Sequence, residues 1–246
     1  MSFYDIGYAR GNGLFCQTDI ASAKQAIEEI CESPGIMKGL KEVCYVSQLK
    51  AHRNPGLNPS DTSVPFIIGE LPALSTSLKR IILNESLWTW AAELLGSDRV
   101  IYHFSNVTRK PAHIGPNITW HRDYPNQYIC TRDSRHFFRV LIPLEAMIRE
   151  NGCTEAVAQS HLISDEEAVR QNEIKCRIPS EETIALEVNP GDAVAIHSKL
   201  FHGGRENRSA KDRNLIVVQF GVETEDYLYR NAELYTGFNR QQMLNV

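Results

Sequence analysis

The sequence predicts a mainly β fold with flanking helices, an α+β chain whose core is a double-stranded β-helix, or jelly roll. From Arg99 onward, short apolar runs are split by turn residues at 99–107, 117–123, 137–144, 153–157, 184–188, 193–198 and 213–222, the spacing of a sandwich or barrel. Asn189-Pro190-Gly191-Asp192 sets Pro and Gly at the central positions of a type II turn between two of those runs. Helical periodicity is concentrated before residue 98.

Taken in order, Ile20, Ala23, Ile27 and Ile30 fall at helical spacing after Thr18-Asp19, and Pro34-Gly35 is expected to stop the element. Residues 43–50 read as a strand and 52–65, with its prolines, as an irregular loop. Leu74 to Leu83 and Ser86 to Leu95 read as two further helices, the second closed by Gly96. Asp165 to Gln171 reads as a short helix between strands. Beyond Thr224 the tail carries Tyr227, Leu228, Tyr229, Leu234, Tyr235 and Phe238, which either pack back on the core or pair with another subunit. No linker composition divides the 246 residues, so the expectation is one domain, with a helical scaffold over about 1–98, the core over about 99–222 and a tail over 223–246.

Composition narrows the function classes. A hydrophobic share of 42% and a charged share of 23% describe a chain able to bury a core. The apolar runs are too short to span a bilayer and the N-terminal residues lack a basic-then-apolar signal, so a soluble cytoplasmic protein without a membrane partner is expected. The net charge of -4 argues against nucleic acid as a partner, since phosphate neutralisation needs a basic excess. Six cysteines without a CxxC pair read as reduced thiols rather than a zinc knuckle. GxSxG, GxxxxGK[ST] and GxGxxG are absent, which removes serine-hydrolase, P-loop and dinucleotide-binding readings.

His121-Arg122-Asp123, followed by His202 and Arg213, is the constellation that carries chemistry. Alternate residues of a strand share a face, so His121 and Asp123 project together while Arg122 points elsewhere. Two imidazoles and one carboxylate hold iron(II) and leave positions open for oxygen activation. The third donor has a rival in His197; an odd number of residues separates it from His202, so on one regular strand the two face opposite ways. Arg213 opens an apolar strand expected to be buried on both faces, where a guanidinium fork suits a carboxylate partner.

As an ordered set, Trp120-His121-Arg122-Asp123, Asn151-Gly152-Cys153-Thr154-Glu155, Gln159-Ser160-His161, Pro190-Gly191-Asp192, His202-Gly203-Gly204, Asn207-Arg208-Ser209 and Arg213 resemble the phytanoyl-CoA hydroxylase-like family of 2-oxoglutarate oxygenases. Phe104-Ser105-Asn106 through Lys110-Pro111 to Trp120 is also similar to the ectoine hydroxylase branch. The resemblance implies a jelly-roll core and an iron(II)- and 2-oxoglutarate-dependent dioxygenase that uses O2, hydroxylates or otherwise oxidises an unactivated C–H bond, and releases succinate and CO2. It implies His121, Asp123 and His202 as iron ligands and Arg213 as the cosubstrate's carboxylate partner; these are the expected catalytic and metal residues. Two residues past His202 the family often has a small hydroxyl residue, whereas Gly204 stands here. Thr108 and Arg139 are the candidates to supply the missing cosubstrate contact.

Between Arg99 and Arg139 seven Lys/Arg face only Asp123 and Asp133, which suggests a basic mouth drawing a small anionic substrate. Tyr124, Gln127, Tyr128 and Arg122 are the nearest candidates to touch it. Two alternatives remain open at this level. One is a cupin-like metal dioxygenase or isomerase without 2-oxoglutarate; the other is a non-catalytic jelly-roll binding module.

Overall fold

The computed structural model describes residues 2–49, 63–126, 128–172, 179, 182–230 and 234–246. In chain order the elements are α1 (Phe3–Ile6), β1 (Tyr8–Gly11), α2 (Gln17–Glu32), α3 (Pro34–Gly39), β2 (Val43–Tyr45), β3 (Pro65–Gly69), α4 (Leu71–Leu74), α5 (Thr76–Ile82), α6 (Glu85–Leu95) and β4 (Val100–Lys110). There follow β5 (Ile118–His121), β6 (Ile129–Thr131), β7 (Phe137–Pro143), β8 (Thr154–Ala156), α7 (Asp165–Asn172), β9 (Ile184–Ala185), β10 (Ala193–His197), β11 (His202–Gly204), β12 (Arg213–Val222), β13 (Tyr227–Arg230) and α8 (Arg240–Leu244).

Among the described residues the strands form three open antiparallel sheets: seven strands in the order β1-β10-β7-β12-β4-β3-β2, four in the order β5-β11-β8-β9, and the pair β13-β6. This corrects the expected double-stranded β-helix. The large sheet ends on β1 and β2, and among the described strands none pairs it with the four-stranded sheet, so the arrangement is a mixed α+β fold of open sheets rather than a closed jelly roll. Strand spacing reports how often the chain turns. It does not report whether facing sheets join at their edges or only stack, because backbone pairing at an edge leaves no mark on the hydrophobic pattern. The first 98 residues also contribute more than helices, since β1 pairs with β10 and β3 with β4.

Period-two burial on the large sheet builds two cores. Ile216, Val218 and Phe220 of β12, Val140 and Ile142 of β7 and Ala193 and Ala195 of β10 pack against the apolar stripe of α2 and against α5 and α6. The alternate residues Leu215, Val217, Leu141, Val194 and Ile196 pack against Ala156, Leu186 and Leu200 on the other side. The run 213–222 is thus buried on both faces because it lies between helices and a second sheet.

Local signals mostly act where the sequence places them. Asn84 caps α6 by accepting from Leu87 N at 2.9 Å, and Gly96 closes it in the left-handed region. Gly191 has φ +100°, and Asp192 N donates to Asn189 O at 3.1 Å, closing the expected turn. α2 stops at Glu32, just before Pro34 as expected, and Ser33 then caps a new helix with Pro34 in its first turn. The helix expected over Leu74 to Leu83 runs over Thr76–Ile82, set off from a short helix ending at Leu74 by Ser75, whose hydroxyl accepts from Ser77 N. The strand expected over 43–50 is three residues long and passes into a 3-10 turn, and most of the loop at 52–65 lies outside the described residues. The tail returns to its own chain, with β13 pairing β6 and Met243 and Tyr235 buried in the helical core.

His197 lies in this scaffold. Its ring lies 4.8 Å from that of His161, tilted by 46°, and packs on Phe3 and Tyr4, and its Nδ1 accepts from Lys199 N. Burial, then His161 and Lys199, push its pKa down to about 3; burial also lowers that of His161. A group whose folded pKa is depressed in this way stabilises the fold above the unfolded value of 6.5 and loses that contribution as pH falls below it, because the unfolded chain then binds the proton more readily. Between pH 8 and pH 5, His197 alone should cost about 2 kcal/mol, or about 4 to 8 °C in Tm for a chain of this size. A melting series over that range in the wild type and in His197→Gln checks this; an equal drop in both would refute it.

Candidate active site

A cavity of about 360 Å³ lies between the large and small sheets, lined from β4, β7, β12, β5 and β11. His121 ends β5 and His202 begins β11, and the two are direct cross-strand partners with ring centroids 4.3 Å apart. Each imidazole donates its Nδ1–H to a backbone carbonyl two residues earlier, His121 to Thr119 and His202 to Leu200, both at 2.8 Å. That fixes the tautomer and turns both Nε2 lone pairs toward Asp123. His121 Nε2 is 3.5 Å from Asp123 Oδ1, and His202 Nε2 is 3.8 Å from Oδ2. The three offer ligand atoms all within 4.8 Å of one another, a set able to hold a metal ion. His197 is no part of it.

The backbone at Asp123 is clamped from two sides. Asn172 of α7 donates to the carbonyls of Arg122 and Tyr124 and accepts from Arg122 N, while Tyr124 N donates to Ser198 O. Arg122 points away from the cavity, as strand alternation requires. It donates to the carbonyls of Ser160 and Lys199 and to Gln171 Oε1, and lies 5.2 Å over the Phe201 ring. It therefore ties the segment bearing the first two candidate ligands to the segment before His202.

Asp123 is 1% exposed, and neither carboxylate oxygen receives a hydrogen bond of sound geometry. Its charge is met instead by Arg139, whose Nη1 stands 2.5 Å from Oδ1 as an ion pair. Burial raises the carboxyl's pKa, but Arg139, His202 and His121 outweigh it and hold the group below the usual carboxylate range. Burial and the neighbouring His121 lower His202 to about 4 against the opposing pull of Asp123. A buried, ionised carboxylate beside the neutral imidazole of His202, with His121 Nε2 facing the same carboxylate, is a donor set that suits a divalent cation.

The closed end of the cavity is cationic. Arg213 begins β12 directly opposite Lys110, the last residue of β4, and both side chains are almost fully buried. Like charges placed directly opposite destabilise a sheet, yet among the described residues lining the cavity there is no carboxylate. Arg213 Nε and Nη1 have no partner, and burial lowers its pKa to about 10 despite Glu145. Lys110 Nζ donates to the carbonyls of Gly152 and Arg205. Gly152 permits this by its left-handed backbone (φ +73°): a Cβ there would stand 2.3 Å from Arg205 O and 2.8 Å from Lys110 Nζ. A Cβ at Gly204 would meet the same ammonium at 3.3 Å, so the place of the absent hydroxyl is occupied by Lys110.

Lys110 was not singled out from the sequence, although the signal is there: Phe104, Asn106, Thr108 and Lys110 alternate along β4, and all line the cavity. Thr108 lines it too, with its hydroxyl donated to Asn106 Oδ1 at 3.3 Å. Tyr128 stands at the exposed mouth 5.6 Å from the Phe104 ring. Tyr124 is buried, donates its hydroxyl to Arg132 O, packs against Phe137 and does not line the cavity. Gln127 lies outside the described residues.

The basic mouth expected over 99–139 is dispersed. Arg99 pairs with Glu223, Arg109 with Asp212, Arg132 with Asp226 and Arg135 with Asp133. With Arg122 turned away, only Lys110 and Arg139 of the seven line the cavity, and that ground for expecting an anionic substrate falls away.

Comparison with known proteins agrees with this geometry. The profile of the phytanoyl-CoA dioxygenase (PhyH) family matches residues 3–215. The chain is 38% identical over 103 residues to dioxygenase olcK of Penicillium canescens, a match covering 40% of this chain and 31% of that one, so it spans about a third of this curated relative. Among solved structures it resembles the non-haem α-ketoglutarate-dependent carbocyclase SnoK from nogalamycin biosynthesis, with TM-score 0.71, 19% identity, and 94% of this chain and 85% of that one covered. It also resembles EctD from S. alaskensis with 2-oxoglutarate and 5-hydroxyectoine, with TM-score 0.67, 20% identity, and 90% and 74% covered. No helix among the described residues is long and apolar enough to cross a membrane. The chain belongs to the phytanoyl-CoA dioxygenase (PhyH) family.

Proposed function

We propose that this chain oxidises an unactivated C–H bond of a small organic molecule, with iron(II) held by His121, Asp123 and His202 and with 2-oxoglutarate and O2 consumed. The observation that carries this reading is the opposed, buried pair Arg213 and Lys110 in a cavity lined also by His121 and His202, with the Asp123 carboxylate buried beside those two imidazoles. A buried guanidinium with two idle nitrogens is costly unless an anion fills the fork. A dicarboxylate long enough to reach from that fork to the His-Asp-His set satisfies both ends.

Bound iron and 2-oxoglutarate together supply the oxidising power, released as succinate and CO2 form. The chain's residues bind and orient. Arg213 grips the distal carboxylate with paired charge-assisted bonds, and Lys110 adds charge from the facing strand. Thr108 is placed to contact the cosubstrate from β4. Leu215 and Val217, apolar on the same face of β12, keep water from the cosubstrate's carbon chain. An aspartate at position 123, rather than a small residue, keeps a carboxylate oxygen on the ion, which favours oxygenation over halide transfer.

Beyond His121 and His202 the walls include Cys44, Leu49, Phe66, Ile67, Phe104 and Tyr128. This lining suits an apolar carbon skeleton whose reacting C–H faces the ion, with Tyr128 at the entrance.

Anaerobic addition of iron(II) and then 2-oxoglutarate should produce the weak visible charge-transfer band of the chelate, and admission of air should release succinate. A protein that binds neither, with its fold intact, is not this oxygenase.

A further inference from the structure

Arg139 is part of a relay that runs from the interior of the large sheet to the candidate iron carboxylate. It lies on β7 opposite Gln219 of β12, and three contacts fix its guanidinium. Nε donates to Gln219 Oε1 at 3.3 Å, Cζ lies 5.2 Å over the Phe104 ring, and Nη1 stands 2.5 Å from Asp123 Oδ1. Gln219 is itself fully buried, and its amide nitrogen donates to Ile129 O at 2.7 Å and to His103 Nδ1 at 2.9 Å. With both amide hydrogens committed to acceptors, only Oε1 can face Arg139. A flipped amide would set N–H against N–H at Arg139 and oxygen against oxygen at Ile129. The guanidinium is therefore aimed by a side chain that has one stable orientation.

This placement separates Arg139 from the cosubstrate's carboxylate fork. Arg213 and Gln219 lie six positions apart on the same face of β12, about 20 Å between Cα atoms at strand rise. The two guanidinium groups therefore serve opposite ends of the cavity and do not converge on one carboxylate.

We infer that Arg139 is the positioning residue for Asp123, a role that rests on the oxygenase reading above. By holding Oδ1 as an ion-paired oxygen, it leaves Oδ2, on the side of His202 Nε2, as the single oxygen offered to iron. A carboxylate that swung to give both oxygens would take a place needed by the two cosubstrate donors and by O2. Two imidazoles and one carboxylate oxygen would leave the ion's other positions free for the cosubstrate and O2. A carboxylate ligand held from behind in this way also binds the ion more tightly, because its orientation is set before the metal arrives.

The test uses the full chain with iron(II) under anaerobic conditions and three variants, Arg139→Gln, Arg139→Lys and Gln219→Leu, each first shown by circular dichroism to fold. Arg139→Gln should weaken iron(II) binding about 10- to 100-fold, the usual range for a partner of a metal ligand. Arg139→Lys, which keeps the charge but not the planar grip, should fall between it and the wild type. Gln219→Leu, which touches neither iron nor Asp123, should weaken binding in the same direction by a smaller factor. Nitric oxide added to the iron-2-oxoglutarate complex should give a weaker paramagnetic signal in Arg139→Gln, because the open place is filled more often. Iron affinity and nitric oxide signal unchanged in Arg139→Gln, with a normal wild-type chelate band, would overturn the role of Arg139 and leave the oxygenase reading standing. A rise in 2-oxoglutarate Kd at unchanged iron affinity would overturn it too and return Arg139 to the cosubstrate. A wild type that binds no iron would instead remove the oxygenase reading itself.

Discussion

Asp123→Ala should abolish oxidation and lower iron(II) affinity by more than a hundredfold, beyond the 10- to 100-fold range typical of residues that only support a metal ligand. The carboxylate is the single anionic donor of the cluster, the other two candidate ligands being imidazoles. Without it the ion would meet two imidazoles and, through Arg139, a nearby cation. The substitution also leaves Arg139 without its counter-charge in a largely buried position, so some loss of stability is expected alongside. Two measurements keep the effects apart: anaerobic iron titration at a temperature well below Tm, and the melting temperature of the metal-free variant. A folded Asp123→Ala protein that binds iron as the wild type does and still turns over would show that the carboxylate has no part in the site.

Arg213→Met separates affinity from stability in the opposite direction. In the metal-free protein Arg213 is a fully buried cation with two unpartnered nitrogens and a second cation facing it. Replacing such a charge with an apolar chain of similar length is often neutral or stabilising, so Tm of the metal-free variant should hold or rise. Binding of 2-oxoglutarate should collapse, by about 3 to 4 kcal/mol, or on the order of a few hundredfold, because the cosubstrate's carboxylate is then buried with only Lys110 to meet it. Thermal shift reads both at once. Cosubstrate at a hundred times its Kd should raise the wild-type Tm by about 5 to 10 °C and leave Arg213→Met nearly unmoved. An Arg213→Met protein that melts far below the wild type without ligand and keeps the full cosubstrate shift would mark Arg213 as a structural cation.

The parts of the site legible from sequence are those set by local alternation. His121 and Asp123 share a side because they are two apart, and Arg122 is turned to Ser160, Lys199 and Gln171 for the same reason. The same rule reaches Lys110 through Phe104, Asn106 and Thr108, but only once β4 is known to line the cavity, and that depends on pairing with β12. Tyr124 illustrates the limit: next to Asp123 in sequence, it is turned into a separate cluster with Phe137 and Cys130, because Asn172 and Ser198 fix the backbone there through contacts 48 and more residues away. Arg139 and Gln219 are 80 residues apart, and nothing local in either strand announces the pair. At the level of the fold, period-two burial reports both faces of β7, β10 and β12 faithfully, since each strand lies between helices and a facing sheet. Whether the sheets closed on one another was a matter of edge pairing, which the pattern does not encode, and the sheets stay open.

Diffraction from anaerobic crystals soaked with iron(II) and 2-oxoglutarate tests the central claim most directly. Density for one ion bonded to His121, Asp123 and His202, with the cosubstrate's far carboxylate in the fork of Arg213 beside Lys110, is the expected result. An ion held by other side chains, or a cosubstrate lying away from Arg213, would contradict it.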